Sequence, residues 1–284
     1  MHRIIDDIIS FTEKRVKVIK NTDSKKALTT RSLASSIQSV NDRHGIPVIA
    51  EVKPASPTTH NRDVSPADAA QIARTMEKAG AAAISVLTEP DYFHGSLENL
   101  EHVRRAVNIP VLRKDFIIDE KQLYEVNSDL ILLIAGILGD RLPGFIDLAK
   151  RRGLQPLVEV HNHAELIAAL DSEANIIGIN NRNLKTMEID LATTEELAPI
   201  ISEHNPDIII ISESGILTPR DAVRMVQAGA DAVLVGTSIM KGDIYDNTRL
   251  LVDAGISGSN TTNISNTPNT SSMSKTSSIS NSSN

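Results

Sequence analysis

The 284-residue sequence predicts a (β/α)8 barrel, and three observations carry that reading. Eight short aliphatic runs recur between Pro47 and Gly255, each separated from the next by an amphipathic stretch. The runs are nearly continuous in apolarity, as parallel strands covered on both faces must be. Eight such units fit into about 210 residues with short connections, which suits a closed barrel. The alternative, a doubly wound open sheet, normally carries a glycine-rich turn after its first strand. Here that turn reads Pro54-Ala55-Ser56-Pro57.

The elements follow in order. Residues 1–46 precede the first strand and predict helix, with Ile4, Ile5, Ile8, Ile9 and Phe11 on one apolar face. This extension holds 9 basic and 5 acidic residues, net +4, within a chain of net charge −7. It can close the bottom of the barrel or lie at the top beside an anionic substrate, and the sequence leaves both placements open. The predicted strands are Val48–Lys53, Ala83–Leu87, Val111–Lys114, Leu130–Ile134, Pro156–Val160, Ile176–Asn180, Ile208–Ser212 and Ala232–Val235. Between them, Ser65-Pro66-Ala67-Asp68 and Thr218-Pro219-Arg220-Asp221 each offer an N-cap hydroxyl, a proline at the first helical position and a following carboxylate. Thr193 and Glu196 have capping-box spacing. Gly80, Gly153 and Gly229 stand where helices should stop on a left-handed residue.

From Ser257 to Asn284 the composition changes abruptly, with 22 of 28 residues being Ser, Thr or Asn. Such a segment buries too little apolar surface to offset the entropy of ordering it, and it predicts a disordered tail. Its Asn-x-Ser/Thr triplets are the chance product of that composition. Residues 1–256 therefore form one expected barrel domain including the helical extension, and residues 257–284 the tail.

Composition narrows the function. The absence of Cys excludes disulfides, thiolate nucleophiles and Cys-bound zinc or iron–sulfur clusters. Seven aromatic residues are too few for single-strand stacking platforms, and a net acidic chain argues against nucleic acid as partner. The N-terminus carries Asp6 and Asp7 where a signal peptide needs an apolar stretch, and the longest aliphatic run, Leu130 to Leu138, is too short to cross a membrane. The expectation is a soluble, cytoplasmic protein without a membrane partner. Nothing in the sequence chooses between monomer and homo-oligomer.

In a (β/α)8 barrel the active site forms at the C-terminal ends of the strands. Those ends read Glu51-Val52-Lys53, Arg113-Lys114-Asp115, Glu159-Val160, Asn180-Asn181-Arg182, Ser212-Glu213-Ser214-Gly215 and Gly236-Thr237-Ser238. Ion pairing across the barrel mouth accounts for one or two buried charges. It does not account for Lys53, Lys114, Glu51, Glu159 and Glu213 converging from four strands, because each is costly to desolvate. Alternation puts Glu51 and Lys53 on one side of their strand. Such a cluster tunes lysine and glutamate for proton transfer.

Gly215 and Gly236-Thr237-Ser238 stand where such barrels bind phosphate through backbone N–H groups, and Ser56 can add a hydroxyl. Phe93 and Phe116 follow strands 2 and 3, placed to pack on an aromatic substrate. His161 and His163 with Glu159 have the residue types of a metal site, but they read better as a mouth-lining residue and a helix start, so no metal is expected. Arg113 reads as the structural partner of a nearby carboxylate. The polar loop from Pro54 to Val64 is expected to close over the substrate.

These blocks resemble the indole-3-glycerol-phosphate synthase family. Ile49-Ala50-Glu51-Val52-Lys53-Pro54-Ala55-Ser56-Pro57-Thr58 is similar to its signature, and Leu87-Thr88-Glu89, Leu112–Phe116, Leu157–Val160, Gly178–Leu184, Ser212–Ile216 and Val235–Ser238 follow in the family's order. The resemblance spans Ile4 to Val252. It implies ring closure of 1-(2-carboxyphenylamino)-1-deoxyribulose 5-phosphate with loss of CO₂ and water, in tryptophan biosynthesis. It further implies Lys114 as the acid of ring closure, Glu159 as proton acceptor or cation stabiliser, and Lys53 with Glu51 in dehydration. Asn180 and Glu213 would orient substrate and lysines, and Arg182 would hold the anthranilate carboxylate. Ser56, Ser214, Gly215, Gly236 and Thr237 would hold the phosphate.

The reaction is redox-neutral and the aromatic ring is its own electron sink, so no cofactor is expected. A phosphoribosylanthranilate isomerase shares the fold, but its usual acid–base pair includes a Cys, which this chain lacks. A catalytically silent binding barrel would have no need to maintain several buried charges. A chain truncated at Gly255 should keep the stability and turnover of the full chain, as measured by thermal melting and product formation.

Overall fold

The computed structural model of the protein describes residues 2–19, 30–56 and 59–255. The expected tail, residues 257–284, and two residues of the Pro54–Val64 loop lie outside the described residues. Eight parallel strands close into a barrel: β1 (Val48–Val52), β2 (Ala83–Leu87), β3 (Val111–Lys114), β4 (Leu130–Ile134), β5 (Gln155–Val160), β6 (Ile176–Asn180), β7 (Ile209–Glu213) and β8 (Ala232–Val235). Each strand pairs with its sequence neighbours, and β8 returns to β1 through Val48–Val233, Ile49–Leu234 and Ala50–Val235. The expected (β/α)8 architecture is present, with strand boundaries within one residue of those read from the sequence.

Alternation along each strand separates two cores. Outward residues such as Val48, Ala50, Val52, Ile84, Val86, Ile131, Leu133, Ile177 and Ile179 pack beneath the surrounding helices. Inward residues Ile49, Leu112, Leu132, Leu157, Ile211 and Leu234 fill the barrel interior. Above this apolar filling, the same inward register ends in Glu51, Lys114, Glu159, Asn180 and Glu213, all at the C-terminal ends of their strands. The apolar layers therefore act as a floor beneath the charged residues, keeping water from reaching them from below.

Helix punctuation follows the sequence in most places. In α3 (Pro66–Lys78) and α9 (Pro219–Gln227), Ser65 with Asp68 and Thr218 with Asp221 form reciprocal capping boxes, with proline in the first turn. Gly80, Gly153 and Gly229 adopt φ of 100°, 76° and 108°, the left-handed conformation that ends a helix at low steric cost. The expected Thr193–Glu196 capping box is not formed. Helix α8 (Ala192–His204) starts two residues earlier, its N-cap is Leu191, and no side chain of its own caps it. Asn181, from the loop after β6, takes over: its Oδ1 accepts from Thr194 N at 3.1 Å and from Thr194 Oγ1 at 2.8 Å.

The extension occupies both ends of the barrel. Helix α2 (Leu33–Asn41) closes the bottom, where Leu33 and Ile37 pack on Ile49, Ala83, Leu112 and Leu130. Helix α1 (Arg3–Val18) lies across the top: Arg15 meets Asp115 at 2.8 Å, His2 N donates to Leu184 O at 3.0 Å, and Phe11 contacts Tyr92. The two placements left open by the sequence each hold for one helix.

Asp129, ahead of β4, ties the bottom together. Fully buried, it accepts from Arg31 N, from Val111 N at 3.0 Å and from Arg104 Nη2 at 2.9 Å. Removing it takes the carboxylate away from a buried guanidinium and two backbone N–H groups, so Asp129→Ala should destabilise the fold by roughly 3–5 kcal/mol in urea denaturation.

Candidate active site

The β-barrel register brings the charged strand ends together. Glu51 faces Ser85 across the β1–β2 pair, Glu159 lies opposite Gly178, and Asn180 opposite Glu213. At the centre stands Lys114, whose Nζ is 2.6 Å from Glu213 Oε2 and 3.8 Å from both Glu51 Oε2 and Glu159 Oε2. Lys53 Nζ approaches Glu51 Oε1 at 3.3 Å, and Ser85 Oγ donates to Glu51 Oε2 at 3.2 Å. The two lysines and three carboxylates expected from four strands form one cluster.

Space for the cluster is made by glycine. A Cβ on Gly178 would overlap Glu213 Oε1, and one on Gly236 would come within 2.6 Å of Glu51 Oε1 and 3.2 Å of Lys53 Cδ. Neither position tolerates a larger residue without displacing a charged group.

Burial and charge set the protonation states. Burial alone would neutralise Lys114, but the carboxylates of Glu213, Glu51 and Glu159 outweigh it and push the lysine above its usual range. Burial likewise works to raise Glu51, yet Lys53 and Lys114 hold it below the ordinary carboxylate range. Glu159 is also held low, with burial opposed by His161, Lys114 and Asn180. Glu213 goes the other way: burial and the neighbouring Glu159 and Glu51 charges raise it against the pull of Lys114. The arrangement holds Lys114 as an ammonium, flanked by one carboxyl group shifted toward its protonated form and two held ionised.

A cavity of about 810 Å³, counting its open mouth, sits over the cluster. Glu51, Lys53, Lys114, Glu159, Asn180, Ser56, Arg182, Ser214, Phe93 and Phe116 line it. Phe93 and Phe116, with ring centroids 6.2 Å apart, form an apolar wall with Leu132, Ile134, Leu184 and Met187. Glu213 stands behind Lys114 and reaches the cavity through it. Gly215 and Thr237 do not line the cavity, and Gly236 meets it only through its contact with Glu51 and Lys53. The chain after β8 runs through a turn at residues 237–240 before α10 (Ile244–Val252), so no helix begins at Gly236. Ser214 and Gly215 adopt φ of 66° and 83°, a consecutive left-handed pair that turns the chain at the cavity edge.

Several lining residues were not singled out in the sequence. Ile5 reaches the cavity from α1, a contact no local pattern announces. Glu89, fully buried, accepts from the backbone N–H groups of Asp91, Tyr92 and Phe93 at 3.0, 2.8 and 3.0 Å and so fixes the loop that carries Phe93. Its signal was available as a lone carboxylate two residues beyond β2. Arg113 points away from the cavity, to Asp115 at 2.9 Å and Glu125 at 2.7 Å, the structural pairing expected of it.

His161 is more than a mouth-lining residue. It follows Glu159 by two positions on the same side of the chain, and its Nε2 lies 3.1 Å from Glu159 Oε1. Its Nδ1 lies 2.9 Å from Glu165 Oε2. His163 opens helix α7 (His163–Asp171), as expected. Among the described residues no group of three potential ligands is arranged to hold a metal ion. Burial would lower the His161 pKa, but Glu159 and Glu165 raise it to about 9. A histidine raised on folding stabilises fully below its unfolded value near 6.5, and the contribution is lost as pH rises through 9. Urea denaturation should therefore show a loss of up to about 3 kcal/mol between pH 6 and 10 that is absent in His161→Gln.

Known proteins resemble this chain in sequence. The family model for indole-3-glycerol phosphate synthase matches residues 3–251. The indole-3-glycerol phosphate synthase of Halobacterium salinarum is 48% identical over 227 residues, covering 80% of this chain and 88% of that protein. The synthase of Methanopyrus kandleri is 42% identical, covering 89% of this chain and 99% of its own. Among solved structures, the (S)-3-O-geranylgeranylglyceryl phosphate synthase of Thermoplasma acidophilum superposes with a TM-score of 0.57 at 15% identity, covering 80% of this chain and 98% of that one, a likeness of fold alone. No described helix is long and apolar enough to cross a membrane. With the family model matching nearly all of the described chain and the synthases of these two organisms above 40% identity, this chain belongs to the indole-3-glycerol phosphate synthase family.

Proposed function

We propose that Lys114 is the acid that closes the indole ring, and that the surrounding residues divide the remaining steps among them. The family reaction, which the chain catalyses, converts a small phosphorylated substrate in tryptophan biosynthesis with loss of carbon dioxide. The observation that carries the assignment of roles is a lysine with three carboxylates from three other strands within 4 Å of its Nζ.

Ring closure requires an aromatic carbon to attack a ketone carbon, and negative charge develops on the ketone oxygen. An ammonium group held charged by fixed carboxylates stabilises that oxygen and donates a proton to it. The ring then carries positive charge, which the Glu159 carboxylate offsets until CO₂ leaves and the bonding electrons restore aromaticity. The alcohol formed must next depart as water. Lys53, 3.3 Å from Glu51, donates to the leaving hydroxyl while Glu51 takes the adjacent C–H proton, giving the indole. None of these steps passes electrons to an outside carrier.

Binding follows the two characters of the cavity. The wall of Phe93, Phe116 and Leu184 suits the anthranilate ring, with Arg182 meeting its carboxylate. Ser56, Ser214 and the backbone around Gly215, Gly236 and Thr237 suit the phosphate, which Lys53 attracts electrostatically. Ala55–Ser56 pairs with Thr59–His60 as a short antiparallel ribbon at the cavity edge, and closure of this loop would exclude water.

Lys114→Ala should lower turnover at least ~10³-fold, the combined loss of a general acid and an electrostatic stabiliser, in a continuous fluorescence assay of indole formation. An unchanged circular dichroism spectrum would show that the fold survives. Near-normal turnover would overturn the assignment.

A further inference from the structure

Beside the lysine cluster the site holds one more fully buried carboxylate, Glu89, which the steps above do not use. Burial pushes its carboxyl above the ordinary range and the Asp115 charge adds to that, while only the backbone N–H groups of Tyr92, Asp91 and Phe93 oppose it. A charge kept without a cation at that cost calls for a reason beyond filling space.

The two oxygens of Glu89 close a turn from inside. Oε1 accepts from Asp91 N at 3.0 Å, and Oε2 accepts from Tyr92 N at 2.8 Å and from Phe93 N at 3.0 Å. The backbone closes the same turn, with Gly95 N donating to Glu89 O at 2.8 Å. A Cβ on Gly95 would overlap Leu87 O, so the chain returns against the end of β2 on a residue without one. Thr88 N donates to Lys114 O at 3.0 Å, which anchors the base of the turn to the strand that carries the acid. The third N–H on the carboxylate belongs to Phe93, whose ring forms the apolar wall with Phe116. Without the carboxylate all three N–H groups lose their acceptor, and the turn loses what holds it from within.

The rest of the wall and the phosphate end are held independently. Phe116 N donates to Asp115 Oδ1 at 2.8 Å, and Asp115 also meets Arg15, Arg113 and Thr88, whereas the Glu89 carboxylate hydrogen-bonds to its turn alone. The ribbon of Ser56 touches the turn once, through Ala55 N donating to Phe93 O at 3.2 Å. It has anchors of its own: Asn61 N and Arg62 N donate to Pro54 O at 2.8 and 3.2 Å, and Asn61 Nδ2 donates to Lys53 O at 2.9 Å.

We propose that Glu89 is a positioning residue for the aromatic end of the substrate: its carboxylate sets the Asp91–Phe93 turn, and through it the phenyl wall on which the anthranilate ring packs. The inference rests on Phe93 binding that ring, as proposed above. Packing of ring on ring is made in the ground state and the transition state alike, so its loss raises KM and spares kcat.

Glu89→Leu keeps the bulk of the side chain and removes both acceptors. In the fluorescence assay its KM should rise about 10-fold with kcat changed less than about 3-fold. The inhibition constant of free anthranilate should rise by a similar factor, and that of inorganic phosphate should stay within about 2-fold. In Glu89→Gln one oxygen still accepts from Tyr92 and Phe93, so KM should rise only about 3-fold. Phe93→Ala has already lost the ring contact, and adding Glu89→Leu to it should raise KM by less than about 2-fold. A carboxylate that merely supports the fold would lower kcat, weaken phosphate along with anthranilate, or add its full effect to that of Phe93→Ala, and any of these overturns the proposal. Normal KM in Glu89→Leu with Phe93→Ala impaired overturns it as well. If Phe93→Ala itself keeps normal KM and anthranilate inhibition, the reading of the wall fails, and this inference with it. Should Glu89→Leu not fold, Glu89→Gln carries the test, and an unchanged KM there overturns the proposal.

Discussion

A lysine ammonium buried at the mouth of a barrel has to be held there by negative charge, and most of what surrounds Lys114 follows from that requirement. Desolvation by itself would expel the proton and leave a neutral amine unable to act as an acid. Glu213, Glu51 and Glu159 prevent this, each delivered by the end of a different strand. Three carboxylates sharing a small volume repel one another, and burial together with the charges of Glu159 and Glu51 raises one of them, Glu213. Lys53 and His161 then appear as the second and third cations that keep Glu51 and Glu159 ionised. Gly178 and Gly236 are the steric side of the same constraint, since the cluster fits only where strand neighbours lack a Cβ.

A second set of charges builds the rim, and of Arg15, Arg113, Asp115 and Glu125 only Asp115 lines the cavity. Arg113 follows the opposite face of β3 from Lys114 and is neutralised by Asp115 and Glu125, while Asp115 also takes Arg15 from α1. Helix α1 is thereby fastened to the strand that carries the acid, and Ile5 is brought to the cavity wall. The basic character of the extension thus serves attachment at both ends of the barrel: Arg15 at the top, and at the bottom Arg31, whose backbone N–H and guanidinium both meet Asp129.

Much of this was legible in the residues. Strand ends could be read because apolar runs stop abruptly at a charged residue, and inward orientation followed from alternation, which is why Glu51, Lys114, Glu159 and Glu213 could be grouped. Capping at Ser65 and Thr218 was readable because the interaction is local. Thr193 misled for the converse reason: Asn181, twelve residues earlier and on another element, supplies the cap that Thr193 was expected to give. Ile5 and Glu89 were missed because their importance comes from where α1 and the β2 loop lie in space. His161 carried a visible signal, two positions after Glu159, but its partner Glu165 comes from a helix whose orientation no motif encodes. Gly215 and Gly236 could be read as turn positions after β7 and β8 because the apolar runs end just before them, but whether such turns face the cavity depends on the path of the chain beyond, which at residues 237–240 is a further turn.

The central claim is that Lys114 remains an ammonium because three carboxylates surround it, and its side-chain nitrogen can be observed directly. A ¹⁵N NMR titration of the lysine Nζ groups, with Lys114→Arg to assign the signal, reports the charge state at each pH. The account predicts that the Lys114 resonance stays in the ammonium range at pH 10.5, where an ordinary lysine is half titrated, and that Glu213→Gln brings its titration down. Titration of Lys114 at or below the ordinary lysine value in the unmodified protein would contradict it.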